Sequence, residues 1–296
     1  MSNYRAGFVS IIGRPNVGKS TLTNALVGQK VAITSSKPQT TRRTIRGIAH
    51  RDDGQIIIVD TPGVHRPRTL LGKRLNELVR QTLSGVDVVL QCFPATEKVG
   101  PGDRFITDLI AEVPRVKKIA VVTKCDQADR DSITERLLEV SALTDWDEII
   151  PISALTGDQV DVVAREVLAL LPESPPLYAD DAVSDDDLWV ALSEMIREAA
   201  LEDLDDELPH SLAVTIEDIV ASDGSSPKKV FANLVVERDS QKGILIGKGG
   251  SRLKAIGEVA RKSISDHLGE KIYLALNVTV SKNWQQDAKR LGRLGF

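Results

Sequence analysis

A glycine-bounded run, Gly13-Arg14-Pro15-Asn16-Val17-Gly18-Lys19-Ser20-Thr21, follows the apolar, strand-like residues 8–12 and opens the helix-period residues 20–27. No other stretch restricts the fold of this chain as tightly. Gly13 and Gly18 let backbone N–H groups turn inward, and the helix start adds its partial positive charge, so the loop is suited to cradle phosphates. Lys19 is placed to reach the outer phosphates and the Ser20 hydroxyl to ligate Mg²⁺. Chance yields a GxxxxGK[ST] match in about one chain per hundred of this length, and the strand–loop–helix setting lowers that further. Such a loop belongs at the carboxyl edge of a mostly parallel α/β sheet.

The residues around it supply that sheet. Strand-like runs at 8–12, 45–50, 55–60, 86–92, 118–123 and 148–152 alternate with helix-period stretches at 20–27, 71–83, 104–113, 132–140 and 160–170. This alternation predicts a six-stranded, mostly parallel sheet covered on both faces. Only Arg51-Asp52-Asp53-Gly54 separates the second strand from the third, so that pair is expected to form an antiparallel hairpin.

Further motifs sit where these strands end. Asp60-Thr61-Pro62-Gly63 closes the third strand: a carboxylate for Mg²⁺ and a Gly63 N–H for a γ-phosphate. Lys37-Pro38-Gln39-Thr40-Thr41-Arg42-Arg43 precedes the second strand, and Thr41 is assigned as the hydroxyl that reaches the metal when the loop closes. Thr123-Lys124-Cys125-Asp126 ends the fifth strand, with Asp126 expected to accept the N1–H and N2 amine of guanine while Lys124 lies along the base. Ser153-Ala154-Leu155 ends the sixth strand, and the Ala154 N–H faces guanine O6. Each of these four is weak alone; in order at successive strand ends they predict a nucleotide site. The expected catalytic set is Lys19, Thr41, Gly63 and Asn16, with Ser20, Thr41 and Asp60 on the metal.

Past Leu171 the composition changes. Pro172-Glu173-Ser174-Pro175-Pro176 cannot continue a helix and predicts a stiff linker. The expected division is a nucleotide-binding domain over 1–171, a Pro-rich acidic linker over 172–184, and a second domain over 185–296. Net charge sharpens the contrast: residues 1–171 carry +3, residues 172–227 carry −15 and residues 228–296 carry +8, within a total of −4. A basic segment of that kind suits a polyanion or a solvated helix face. The acidic helix before it (Glu198, Glu202, Asp203, Asp205, Asp206, Glu207) reads as a solvated face, with repulsion of RNA from the wrong surface as the alternative.

In the second domain, helix-period residues from 186 to 201 and strands at 212–221 and 230–237 come first. Gly247-Lys248-Gly249-Gly250 then sits between an apolar segment and a helix whose buried face holds Leu253, Ile256, Val259 or Ala260, and Ile264, closing at Gly269. A GxxG match alone carries little, and Gly292-Arg293-Leu294-Gly295 also fits, but it has no following element. Helix–GxxG–helix with a strand at 272–280 behind it is the pattern of a type II KH domain, whose loop clamps the backbone of about four nucleotides. Gly247, Lys248, Gly249, Gly250, Arg252, Lys254 and Lys242 are the expected RNA contacts, with Arg261 and Lys262 adding charge nearby. A solvated basic helix hairpin is the competing reading. A short helix from Asn283 is expected to turn Trp284, Ala288 and Leu291 to one side.

The chain has two cysteines, Cys92 and Cys125, and four scattered histidines, with no zinc spacing. No apolar run approaches the length of a membrane span, and the first residues lack a signal-peptide pattern, so a soluble cytoplasmic protein is expected.

The motif order resembles the translation-factor-related class of P-loop GTPases. GRPNVGKST, QTTR, DTPGVH, the Pro-rich linker, the KH pattern and the Trp284…Leu291-Gly292 tail together make the chain similar to the Era-type GTPases over nearly its whole length. That resemblance implies a GTPase that binds small-subunit ribosomal RNA near its 3′ end and assists assembly of the small ribosomal subunit. It also implies peripheral contact with the inner face of the membrane, for which the sequence offers no anchor of its own. A monomer is expected. Two departures stand out. Thr123 replaces the asparagine usual at that position, which puts one contact to the base or the loop in doubt. Val64 stands where a water-orienting glutamine is found in Ras-like enzymes, so hydrolysis is expected to be slow; GTPases with this pattern and an asparagine at Asn16 resemble those assisted by K⁺, while Asn16 otherwise reads as a loop hydrogen bond. GTP is expected to order the loops around Thr41 and Gly63 and so expose the GxxG groove. The alternatives are action on another RNA, or an RNA-binding module whose G domain does not hydrolyse.

Overall fold

The computed structural model describes residues 4–34, 45–63, 69–185, 187–202, 211–222 and 227–294. The chain divides into two units; the first runs to Asp185 and the second takes in Asp186–Phe296.

Six strands build the first unit: β1 (Arg5–Ile12), β2 (Ile45–Arg51), β3 (Gly54–Asp60), β4 (Val88–Pro94), β5 (Lys117–Thr123) and β6 (Glu148–Pro151). They lie in the order β2-β3-β1-β4-β5-β6. All neighbours are parallel except β2 and β3, whose antiparallel register ends at Arg51↔Gly54, the expected hairpin. Strands β3 and β4 are buried at every residue, as a sheet covered on both faces requires. Helices α1 (Lys19–Val27) and α5 (Val160–Leu170) cover one face, over Val9, Ile11, Ile58, Leu90 and Val121. Helices α2 (Leu70–Leu83), α3 (Pro101–Ala111) and α4 (Arg130–Ser141) cover the other, against Ile12, Val89, Ala120 and Val122.

Several boundaries shift by one to three residues from expectation, and two of them can be traced to local contacts. β4 starts at Val88, not at 86; Asp87 just before it already bonds to both neighbours through its backbone, and its carboxylate accepts the Phe8 N–H at 2.8 Å. α3 starts at Pro101, three residues early: proline suits a first helical turn, and Asp103 accepts the Gly100 N–H at 2.9 Å.

The proline-rich residues after Leu171 run from the start of β1 across to β2, the free edge of the first unit's sheet. Ala6 N–H donates to Pro172 O at 3.3 Å, Ser174 N–H to Tyr4 O at 3.0 Å, and Ile48 N–H to Val183 O at 2.9 Å. The buried Gln55 side chain accepts from the N–H groups of Leu177 (2.8 Å) and Tyr178 (3.1 Å) and donates to Tyr178 O (2.7 Å). His50 meets Ala182 O at 2.7 Å, and Asp185 takes the Tyr178 hydroxyl (2.7 Å) and Arg46 (2.9 Å). This strap satisfies backbone groups of β2 that an edge strand would otherwise present to solvent. Prolines break a helix, as read from the sequence, but they do not prevent an edge pairing.

The second unit has a three-stranded sheet, β7 (Ala213–Val220), β8 (Lys228–Val236) and β9 (Ile272–Val280), in that order, antiparallel then parallel. Helices α6 (Leu188–Glu202), α7 (Asp239–Ile246) and α8 (Ser251–Leu268) pack on one face around Leu192, Ile196, Ala200, Leu234, Leu245, Ile256, Ala260 and Ile264. The parallel β8–β9 pair forces the α7–loop–α8 crossover between them, giving the type II KH arrangement.

Three details correct the sequence reading. Ala260 is buried while Val259 is 47% exposed, which settles the choice between them. Glu198 is buried, so the acidic run of α6 is not uniformly solvated; buried Glu194 pairs with the equally buried Arg197 through two nitrogens. Asp203, Asp205, Asp206 and Glu207 lie outside the described residues. The final helix α9 (Ala288–Arg293) starts after a 3-10 turn at Trp284–Gln286, because Asp287 caps it by accepting the N–H groups of Lys289 and Arg290. Trp284 and Leu291 are buried as expected, but Ala288 is exposed.

Candidate functional site

In the first unit the candidate nucleotide site gathers at the carboxyl ends of β1, β3, β5 and β6. Val17 anchors the loop after β1 in the core, while Asn16 takes a left-handed turn (φ 63°) at its exposed outer bend. Gly18 has φ 99°, a conformation that costs a side-chain residue dearly, and so opens α1 with free helix-start geometry. Lys19 is buried and its ammonium donates to Arg14 O at 2.7 Å, so the chain folds over its own loop. Burial pushes the Lys19 pKa down, against a smaller pull upward from Asp60.

Ser20 Oγ donates to Asp60 Oδ2 at 2.8 Å. Two oxygen donors so close suit a small hard cation and nothing softer, so these residues fit Mg²⁺. Thr61 Oγ1 holds Ile11 O at 2.9 Å and fixes the end of β3. Gly63 packs so tightly on Pro15 that a Cβ there would fall 3.0 Å from the Pro15 nitrogen; Pro62 beside it is buried. Thr21 is half-buried on α1, and Gly13 sits against Val17 and Cys92. The assigned Thr41, with Val64 and His65, lies outside the described residues.

On the base side, Thr123 is buried and donates to Val17 O at 2.6 Å. The phosphate-loop contact placed in doubt by the Asn-to-Thr departure is therefore made by a hydroxyl. Lys124 turns left-handed (φ 59°), and Asp126 projects from the following 3-10 turn, exposed. Ser153 Oγ donates to Asp126 Oδ1 at 2.7 Å and accepts Thr156 N–H at 3.2 Å. Ala154 is half-buried beside it, and Leu155 is 74% exposed.

One residue's partner escaped the sequence reading. Arg14 pairs with Asp103 at 2.8 Å and Glu97 at 3.1 Å, which raises the guanidinium pKa despite the burial that opposes it. Nothing local marks a partner 89 positions away.

The second unit carries the candidate RNA site. Gly247 (φ 71°), Gly249 (φ 60°) and Gly250 (φ 80°) all lie in the left-handed region, and a Cβ on Gly249 or Gly250 would meet nothing within 4 Å. The loop therefore leaves room for a phosphate backbone. Lys248 and Lys254 are exposed, Lys242 is half-buried, and Arg252 donates to Ile244 O at 3.3 Å. Beside the loop, a groove of about 440 Å³ runs between α8 (Leu253, Gly257, Arg261) and the edge strand β9 (Tyr273, Leu274, Leu276). Tyr273, 54% exposed, was not foreseen; an aromatic on an edge strand facing a GxxG helix is the signal that would have found it.

Comparison with known proteins matches both units of the chain to described families. Residues 8–124 match the family model described as a 50S ribosome-binding GTPase, and residues 207–285 match the KH domain model. GTPase Era of Mycobacterium avium (strain 104) is 58% identical over 299 residues, covering all of both chains. GTPase Era of Nocardioides sp. is 56% identical over 302 residues, covering 99% of this chain and 96% of that one. Among solved structures, Aquifex aeolicus Era bound to GDP·AlF4⁻ superposes with a TM-score of 0.94 at 36% identity, over 98% of this chain and 99% of that one. Era in complex with MgGDPNP and nucleotides 1506–1542 of 16S ribosomal RNA superposes with a TM-score of 0.95 at 35% identity, over 99% of each.

Proposed function

The chain belongs to the Era family of GTPases, and from that premise we propose that it is a GTP-operated switch that binds the 3′ end of small-subunit ribosomal RNA through its KH domain and assists small-subunit assembly. The observation that carries this reading is the pairing, in one chain, of the Ser20–Asp60 oxygen pair under a phosphate loop with an unobstructed GxxG loop beside an aromatic-rimmed groove.

In this reading Gly13, Arg14, Pro15, Asn16, Val17, Gly18, Lys19, Ser20 and Thr21 wrap the phosphates. Ser20, Asp60 and Thr41 hold Mg²⁺, which when bound neutralises charge on the β- and γ-phosphates. Lys19 leaves Arg14 O for the phosphates, and the Gly63 N–H senses the γ-phosphate. Asp126, held by Ser153, reads the guanine edge, and Ala154 meets O6. Val64 offers no hydrogen-bonding side chain to the attacking water, so turnover is slow; a K⁺ that Asn16 would help hold would supply positive charge to the phosphates. Gly247–Gly250 clamp the RNA backbone, with Lys242, Lys248, Arg252 and Lys254 on phosphates and Tyr273 stacking on a base.

The protein works as a cytoplasmic monomer and touches the membrane's inner face only peripherally; no helix among the described residues is long and apolar enough to cross a membrane. A G domain over 1–171, the strap over 172–184 lying along that domain's sheet, and a KH domain over 185–296 share the work.

The test is affinity for the 3′-terminal segment of 16S ribosomal RNA with GDP and with a non-hydrolysable GTP analogue, alongside GTP turnover in K⁺ and in Na⁺. Tighter RNA binding with the analogue, by the about 1–3 kcal/mol typical of coupled sites, is expected. Equal affinity in both states removes the switch, and equal turnover in both salts removes K⁺.

A further inference from the structure

We infer that Thr123 separates two tasks an asparagine would combine at this position: it braces the phosphate loop, and it leaves the imidazole edge of guanine unread. The inference rests on the GTP-binding reading above and concerns how this chain recognises the base.

Thr123 ends β5, between the phosphate loop and Asp126, and its side chain is 1% exposed. Its hydroxyl lies 2.6 Å from Val17 O and 3.3 Å from Phe93 O, both backbone acceptors. A hydroxyl has one hydrogen to give, whereas a carboxamide has two N–H donors and a carbonyl. The 2.6 Å separation assigns that hydrogen to Val17 O, at the short end for an O–H···O bond. Gly18 faces the same side chain: a Cβ on Gly18 would fall 3.7 Å from Thr123 Cβ. The threonine therefore packs under the loop as well as bonding to it.

No side-chain donor then remains at position 123 for a base. Two neighbouring backbone donors are also committed, Cys125 N–H to Ile152 O at 3.1 Å and Gln127 N–H to Lys124 O at 3.0 Å. Asp126 is acceptor-only when ionised, so it suits the N1–H and N2 amine and cannot serve N7, which is itself an acceptor. Guanine is thus read on its Watson–Crick edge while N7 receives nothing from the side chain at position 123. An amide at 123 could donate one N–H to Val17 O and the other to N7.

The probe is 7-deazaguanosine diphosphate, in which a C–H replaces N7 and the Watson–Crick edge is untouched. Affinities for GDP and 7-deaza-GDP, with Mg²⁺, are measured by calorimetry on the full chain. The native protein is expected to bind the two within twofold of each other. Thr123→Asn is expected to prefer GDP by about three- to tenfold, the range one neutral hydrogen bond supplies. Thr123→Val removes the brace, so both affinities should fall together several-fold with their ratio still near one, and Thr123→Ser should restore them.

A native protein that binds GDP fivefold or more tighter than 7-deaza-GDP overturns the unread edge, whatever the variants do. Thr123→Val with native affinity overturns the brace. If Thr123→Asn does not fold, the native ratio and the Val and Ser variants still decide both halves. Failure of the native protein to bind GDP at all removes the GTPase reading instead, a different result from tight GDP binding with a 7-deaza penalty.

Discussion

The Ser153 hydroxyl donates to Oδ1 of Asp126 at 2.7 Å, tying the loop after β5 to the end of β6. Asp126 is exposed and would otherwise sample several rotamers. A hydrogen bond to a charged acceptor is worth about 1.5–3 kcal/mol at most in such settings, and less where water competes. Ser153→Ala is therefore expected to weaken GDP binding by about 2- to 10-fold and to narrow the preference over ADP. Competitive binding of the two diphosphates measures it. An unchanged preference would show that Asp126 holds its place without Ser153.

Replacing Asp126 by asparagine converts an acceptor into a group that also donates. Guanine presents two donors to this position and xanthine presents one donor and one carbonyl. Asp126→Asn is expected to lose GDP binding by more than tenfold and to gain binding of xanthosine diphosphate. Loss of both, with the fold intact by circular dichroism, would place base recognition elsewhere.

The strap along β2 depends more on Gln55 than on its ion pair. Gln55 is fully buried and serves three backbone groups of the strap, whereas Arg46 and Asp185 are 49% and 25% exposed. Unmade buried bonds cost about 1–3 kcal/mol each, and an exposed ion pair is worth about 0–1 kcal/mol. Gln55→Leu should speed chymotryptic cleavage at Leu177 and Tyr178 at least tenfold, and Arg46→Ala hardly at all. Cleavage at one rate in native and Gln55→Leu proteins would mean the strap is held by its backbone pairing alone.

What could be read from the sequence follows a physical divide. Phosphate and base chemistry needs particular residues within a few positions of one another, so Gly13–Ser20, Asp60–Gly63 and Thr123–Asp126 were visible as words. Parallel pairing then brings those words to one sheet edge. Partners far apart in sequence left no such mark: Arg14 with Asp103, Gln55 with Tyr178, and Tyr273 across the groove from Arg261. The proline-rich run showed that a helix must end, which is a local rule. Whether it hung free or lay on β2 depended on a glutamine 122 positions earlier. Ala288 was misplaced for a related reason, since the Asp287 cap moved the helix start and with it the phase of the face.

The KH loop can be altered without touching its core. A Cβ on Gly249 meets nothing within 4 Å, and aspartate tolerates the left-handed region. Lys248→Asp with Gly249→Asp should leave the fold intact with a melting point a few degrees lower, from the left-handed backbone at 249, and lower RNA affinity more than tenfold, because two negative charges replace one positive charge against phosphate. Tyr273→Ala should cost about 1–3 kcal/mol, the value of one stacked base, with an unchanged salt slope. RNA affinity measured across a salt series separates the two effects. Native affinity in the doubly acidic loop would mean that RNA enters by another surface.

Cys92 lies fully buried behind the phosphate loop, and burial pushes its thiol up to about 12, against a smaller downward pull from Lys19. Cys125 is raised less far and is only half-buried. At pH 8 a maleimide should label Cys125 slowly and Cys92 not at all in the native protein, and both in urea, as read by mass spectrometry. The same shift fixes a pH dependence. Between about 9, where the unfolded thiol ionises, and about 12, the folded chain keeps a proton that the unfolded chain has released. Folding then binds more protons, so stability falls as pH rises, by up to about 1.4 kcal/mol per pH unit from this group. Lys19, lowered by burial, acts with the opposite sign near its own ordinary range. Cys92→Ala removes the first contribution and keeps the second, so urea titrations from pH 8.5 to 10.5 should give a shallower loss in the variant. Parallel curves would show that Cys92 ionises in the folded state as readily as in the unfolded one.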